Sequence, residues 1–179
     1  GSTFTNATKT SGSGAIVKEG LGIFLLRPSS DMTGSIALNA GEIQVSANAS
    51  GTGLPAGGTL TMAASTKLSA ASGARTVHKN MVINGGVGLA ENGANDMTFN
   101  GTLDLGGADR TVTNSNAVTI NGQISNGGII KTGTGVMTIN SNNTYSGQTL
   151  VMAGELIHRG TNTSSQFGVG SSGYLYGQG

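Results

Sequence analysis

Apolar and β-branched residues come in runs of two to four along this chain, each closed by glycine, asparagine or serine. The runs at 15–17, 23–26, 36–38, 43–45, 60–62, 67–69, 81–83, 87–89, 97–99, 102–105, 111–113 and 118–120 read as strands, and those at 129–130, 136–139, 149–151 and 155–157 continue the series. No helix fits between such closely spaced breaks. In Leu103-Asp104-Leu105 and Val118-Thr119-Ile120 apolar and polar residues alternate, so one side of each strand is buried and the other wet. Pro28 ends a strand, because proline cannot donate to a ladder. Residues 1–14 carry little apolar weight and are expected to continue an upstream coil.

Strands this short do not make stable isolated hairpins, and the turns lack regular Asn-Gly hairpin spacing. Stacking in successive coils solves the problem. The sequence therefore predicts an all-β fold without significant helix: a right-handed parallel β-helix, or β-solenoid, of short strands. Each coil of roughly 20 residues would set its strands ~4.8 Å above the last. Glycine at the corners supplies positive φ or close backbone approach.

The chain also repeats itself. Segment 12–45 falls on 125–158 without a gap: Gly14 on Gly127, Lys18 on Lys131, Gly20 on Gly133, Gly22 on Gly135, Gly34 on Gly147, Gly41 on Gly154 and Glu42 on Glu155. Between these fixed points apolar character is kept while identity drifts. The offset between the copies is expected to cover about five coils. Each lysine stands about one coil before its glutamate, which predicts a cross-coil ion pair on an outer face, worth ~0.2–1 kcal/mol.

The second copy, KTGTGVMTINSNNTYSGQTLVMAGELI, resembles the repeat of bacterial autotransporter passengers, through Lys131, Thr132, Gly133, Gly135, Thr138, Asn143, Thr144, Tyr145, Gly147, Thr149, Gly154 and Leu156. The first copy departs further, with Glu19, Leu21, Pro28, Asp31 and Met32 at matching places. The resemblance implies a structural module of an extracellular or cell-surface stalk, exported through a C-terminal barrel that residues 1–179 do not include. It further implies that 1–179 is a single solenoid segment of a longer protein, whose immediate partners are adjacent repeats.

Composition sharpens this picture. Glycine supplies 32 of 179 residues without the every-third-residue period of collagen, and only 9% are charged, against ~25% in a typical domain. Disorder does not fit, because 36% of residues are hydrophobic and lie in strand-length runs. The net charge of +1, with its bases scattered, excludes strong attraction to nucleic acid or anionic membrane. There is no cysteine, and no run reaches the ~18 apolar residues of a membrane helix. The start at Gly-Ser, without a charged or apolar leader, is expected of an excised or processed piece.

Candidate chemistry is sparse. Asp96, Asp104, Asp109 and Arg110 form the one acidic grouping, the kind that β-helix glycan enzymes use for acid–base work or metal binding. No histidine lies near it, and the expectation is no enzyme, no metal and no cofactor. His78 and His158 stand alone. GSGAIVKEG and GTGLPAGG lack the Gly-Lys-Ser/Thr ending of a phosphate loop, and NGGVGLAEN lacks the aspartate of a calcium nonapeptide. Sequons at Asn6, Asn48, Asn142 and Asn162 are expected by chance in so polar a chain. The six methionines read as core fillers. A glycan-binding adhesin surface is the alternative function, with Tyr145, Tyr174 and Tyr176 as candidate stacking residues. End-to-end self-association is expected through uncapped terminal coils, and none through the side faces.

Overall fold

The computed structural model describes residues 3–5, 10–29, 31–47, 53–92, 95–163 and 166–177. The sequon asparagines Asn6 and Asn48 lie outside the described residues. The strands are β1 (Thr3–Thr5), β2 (Ile16–Lys18), β3 (Ile23–Leu26), β4 (Ile36–Leu38), β5 (Glu42–Val45) and β6 (Thr59–Met62). Then come β7 (Thr66–Ala70), β8 (Arg75–Val77), β9 (Asn80–Ile83), β10 (Val87–Leu89), β11 (Met97–Phe99) and β12 (Leu103–Thr113). The last are β13 (Val118–Ile120), β14 (Ile124–Thr132), β15 (Val136–Ile139), β16 (Thr149–His158) and β17 (Phe167–Gly177). The strands pair in parallel, and about eight turns stack as a β-solenoid. Among the described residues no helix is long and apolar enough to cross a membrane.

The pairings sort the strands onto three faces. The first runs through β2, β4, β6, β9 and the opening residues of β12 and β14. The second runs through β1, β3, β5, β7 and β10, then the later part of β12 and of β14, and the start of β16 and β17. The third stacks β8, β11, β13, β15 and the ends of β16 and β17.

Inward positions form continuous columns. On the first face Ile36, Leu60, Met81, Leu103 and Ile124 lie over one another, and on the third Val77, Phe99, Ile120 and Ile139 do; all are buried. Outward residues are small and polar, as in the in-register threonines Thr76, Thr98, Thr119 and Thr138. That partition is what the short alternating runs encode.

Three observations differ from expectation. First, β12, β14 and β16 each run through a corner instead of stopping at it. Positive φ at Gly106, Gly107, Asn126, Gly127 and Gly154 lets the chain bend without leaving the ladder. Second, β8 and β17 are additional strands: Arg75-Thr76-Val77 holds one apolar residue, and the glycines of β17 are read as turns although they sit in the ladder. Third, the offset between the motif copies is not a whole number of coils. Five coils above Ile16 stands Ile124, whereas the residue matched to Ile16 is Ile129, on the next face. The first motif copy therefore turns the corner between the first and second faces, and the second copy the corner between the second and third.

Candidate functional site: stacked lysine and glycine corners

Lys18 closes β2 and Lys131 stands one residue before the end of β14, each with its side chain pointing inward. Lys131 stands between Val112 and Val151 in the second-face column and is fully buried; Lys18 lies under Leu38 and is 9% exposed. The aliphatic stem fills the core and the ammonium reaches the turn that follows. Lys131 Nζ donates to the carbonyls of Thr132 (3.0 Å), Gly133 (3.0 Å) and Ala153 (3.1 Å). Lys18 Nζ donates to Glu19 (2.8 Å), Gly20 (2.6 Å) and Ala40 (3.0 Å), the matching three. Two acceptors belong to the lysine's own corner and the third to the corner one coil above, so the ammonium ties two coils together.

Burial pulls the Lys131 ammonium down to about 8, and pulls Lys79 down as well. Lys79 is a third internal cation, bonded to the carbonyls of Met32 (3.3 Å), Gly34 (2.8 Å) and Gly57. Asn114 does a similar task with an amide: it donates to Asn116 O (2.8 Å) and Val136 O (3.0 Å), repeating the offsets of two and 22 residues used by the lysines. Sequence reasoning missed Lys79 and Asn114 because neither lies in the repeat.

The expected ion pairs with Glu42 and Glu155 do not form. Among the described residues the ion pair is Lys67–Glu91, and both motif lysines face inward instead of lying on an outer face. Glu42 is buried and accepts from Gln44 (3.0 Å) and Asn92 (2.6 Å); Glu155 is half-buried beside Val136.

The motif glycines are explained by what lies one coil below. A Cβ on Gly154 would meet Gly133 O at 2.5 Å and Gly135 O at 2.7 Å; on Gly41 it would meet Gly20 O and Gly22 O, each at 2.5 Å. Gly147 sits likewise on Gly127, and Gly34 on Gly14. Matched glycines thus contact matched glycines in the two copies.

Asn143 and Tyr145 hold the long arm of the second copy. Asn143 Oδ1 accepts from Ile124 N and Ser141 Oγ, each at 2.8 Å, and its amide donates to Ser141 O at 2.9 Å. Tyr145 is fully buried, with Oη 2.7 Å from Thr149 Oγ1, which removes it as a sugar-stacking residue. Burial raises its hydroxyl above the ordinary tyrosine range. Tyr174 and Tyr176 do face outward, 63% and 51% exposed.

Of the acidic grouping, Asp104 and Asp109 share a cleft of about 570 Å³ with Gly106, Gly107, Asn126 and Gly127, whereas Asp96 does not line it. Asp104 accepts from Gly106 N (2.7 Å) and Asn126 Nδ2 (3.0 Å), and Asp109 from Gln148 Nε2 (2.9 Å). Arg110 donates to Leu105 O and Gly106 O instead of to a carboxylate. Asp96 accepts from Ala117 N at 3.0 Å. Asp96, Asp104 and Arg110 are tied into corner backbone and Asp109 to a side-chain amide, and among the described residues no three metal-ligating side chains converge.

His78 lies at the foot of a surface ladder, 3.4 Å from Asn100, which accepts from Asn121, which accepts from Asn140, both at 2.8 Å. His158 is buried, edge-on to Phe167 and 3.4 Å from Asn143, and burial lowers its protonation below the usual histidine range. No curated protein and no solved structure matches the chain. Residues 129–157, the span of the Lys131 cage, the Asn143 and Tyr145 anchors and the Gly154 contact, match the passenger-associated-transport-repeat.

Proposed function

We propose that the chain is one structural solenoid segment, over 1–179, of a longer autotransporter-type passenger standing at or beyond the outer surface of a bacterial cell. The observation that carries this reading is that the motif closes on itself. Lys131, Asn143 and Tyr145 direct their polar atoms to partners inside the coil stack, and the glycines serve contacts between coils. A catalytic motif would aim polar atoms at a cleft. Eight coils at ~4.8 Å make a rod of about 40 Å.

The test is where the chain goes. An epitope inserted beside the outward Thr119 of the full-length protein is expected to bind antibody on intact cells. The full gene is expected to encode, downstream, a run of roughly ten-residue alternating strands. An epitope reachable only after lysis, with no such run, overturns the proposal.

The outward pair Tyr174 and Tyr176, stacked above Glu155 and Ile157, favours a second reading as a glycan-binding surface on the same scaffold. A glycan array signal lost on Tyr174→Ala and Tyr176→Ala supports it; an array without signal removes it.

A further inference from the structure

The corner between the first and second faces is longer in one coil than in its neighbours. From Val82 to Val87 the chain takes five steps, and from Asp104 to Val112, their partners one coil above, it takes eight; the next coil, from Ser125 to Lys131, takes six. The surplus bulges outward as Gly106, Gly107, Ala108 and Asp109, all exposed, and the ladder between β12 and β14 slips register there. The bulge opens the cleft of about 570 Å³, with Asp104, Asn126 and Ser146 among its walls. The cleft spans three successive coils, and further coils lie above and below it. In a solenoid, an insertion confined to one coil is where a regular rod gains a recognition surface.

We propose that this cleft is a saccharide site that takes an uncharged sugar unit. Its volume falls within the range of roughly 300–1,000 Å³ that small-molecule sites occupy. The largest apolar side chain in its lining is the methyl of Ala108, so a peptide or an apolar ligand finds nothing to bury against. Gly107 has open space where a Cβ would stand, which lets a ring come close to the backbone.

The polar groups are fixed before a ligand arrives. Gly106 N and Asn126 Nδ2 hold Asp104, and Gln148 Nε2 holds Asp109, yet each carboxylate keeps acceptor capacity for a hydroxyl donor. Arg110 turns its guanidinium to Leu105 O and Gly106 O, so among the described residues neither carboxylate has a cation partner. The cleft is therefore negative. It accepts from the hydroxyls of a neutral sugar and repels a uronic, sulfated or phosphorylated one. The inference rests neither on the passenger reading nor on Tyr174 and Tyr176, which stand on the third face.

Saturation-transfer NMR on the chain tests it, against a panel of free hexoses, N-acetylhexosamines and their neutral disaccharides, with glucuronic acid and a sulfated disaccharide as acidic members. At least one neutral member is expected to bind and the acidic members are not. Asp109→Asn is expected to weaken that binding about tenfold or more, the worth of one hydrogen bond to a charged group. Deleting Gly106 and Gly107, which brings the corner to the six steps of the coil above, is expected to abolish binding while circular dichroism shows an intact solenoid. If the deletion does not fold, Ala108→Trp, which sets an indole into the lining, takes its place. The double variant Tyr174→Ala, Tyr176→Ala is expected to bind like the unaltered chain. A panel without signal, acidic sugars bound better than neutral ones, or binding that survives in the cleft variants and is lost with the tyrosines overturns the proposal.

Discussion

Met32, Ile36 and Val45 fill the core of the first motif copy; in the second copy the same places hold Tyr145, Thr149 and His158, and all six side chains are buried. Hydrocarbon in one copy is thus replaced by hydrogen-bonded polar groups in the other, with Tyr145 Oη 2.7 Å from Thr149 Oγ1 and Asn143 Nδ2 3.4 Å from His158 Nε2. The corner does not change. The lysine bonds the same three carbonyls in both copies, and the contacts of Gly41 and Gly154 with the coil below agree within a few tenths of an ångström. What the repeat holds constant is a stacked corner, usable at either edge of the solenoid. The filler varies, provided each buried polar group finds a partner.

The most severe way to break this equivalence is to crowd the glycines. Gly41 and Gly154 combine φ of 73° and 71° with a Cβ position 2.5 Å from a carbonyl of the coil below. Gly41→Val and Gly154→Val are each expected to cost about 4 kcal/mol or more, combining backbone strain with overpacking. Hydrogen exchange should show protection lost in the two coils that meet there and kept in distant coils, because a coil touches only its neighbours. A large loss for one glycine and a small loss for the other would show that the two corners are not the same device.

Removing the ammonium comes next. Lys131→Met leaves three buried carbonyls without their donor and is expected to cost about 3–5 kcal/mol. Lys18 has no first-face strand beneath it among the described residues and is slightly exposed, so Lys18→Met should cost roughly half as much. Chemical rescue separates cage from stem. In Lys131→Ala, ammonium or methylamine should restore part of the lost exchange protection in β14 and β16, and should do nothing for the parent chain. Absence of rescue together with a cost below about 1 kcal/mol, the worth of one ordinary hydrogen bond, would mean that the cage contributes little.

Much of this frame was legible in the sequence, and its gaps have physical causes. Most strand positions followed from the Val, Ile and Thr runs, and 136–139 and 118–120 coincide with β15 and β13. The glycine pairs were legible as a repeat but not as partners, since contact between residues one coil apart needs the coil length. That length was hidden because the offset between the copies ends one face beyond five coils. Sequence alone points the lysines outward, because a charged residue near a turn is ordinarily solvated. Only the convergence of carbonyls from two coils makes an inward ammonium tolerable, and no local pattern announces it.

Alkaline pH should sharpen the contrast between the copies. Lys131 is held at about 8 by burial, below its unfolded value of 10.5, so the unfolded chain binds more protons between those limits and stability rises with pH. The gain expected from pH 8 to 10 is roughly 2 kcal/mol. The neutral amine still keeps two N–H donors for its carbonyls. Above pH 10 the trend should reverse, because burial raises Tyr145 and the unfolded chain ionises first. On the acid side, His158 is lowered, so stability is lost as pH falls from about 6.5 through its folded value. The first copy has Met32 and Val45 where Tyr145 and His158 stand. Exchange protection over 136–158 should therefore follow pH more steeply than over 32–45; equal profiles would refute the assignment.

The smallest effect concerns the glutamates. Glu42 is 5% exposed while its counterpart Glu155 is only half-buried, and the difference comes from the segment after β10, which returns across the second face. Asn92 donates to Glu42 Oε2 at 2.6 Å, and Glu91 Oε1 pairs with Lys67 Nζ at 3.0 Å, its other oxygen occupying space that a Cβ on Gly88 would need. The paired side chains are 36% and 25% exposed, which places the pair in the solvated class worth ~0.2–1 kcal/mol. Lys67→Gln is accordingly expected to cost no more than about 1 kcal/mol, and less at high salt, where the screening length shrinks to a few ångströms. Its local signature should exceed its global one. Loosening Glu91 frees Asn92, so exchange at 42–45 should quicken while 155–158, with no such segment above it among the described residues, stays unchanged. A cost above about 2 kcal/mol, twice the upper range of a solvated pair, or equal quickening in both copies would show that Lys67 supports the coil itself rather than the segment that covers Glu42.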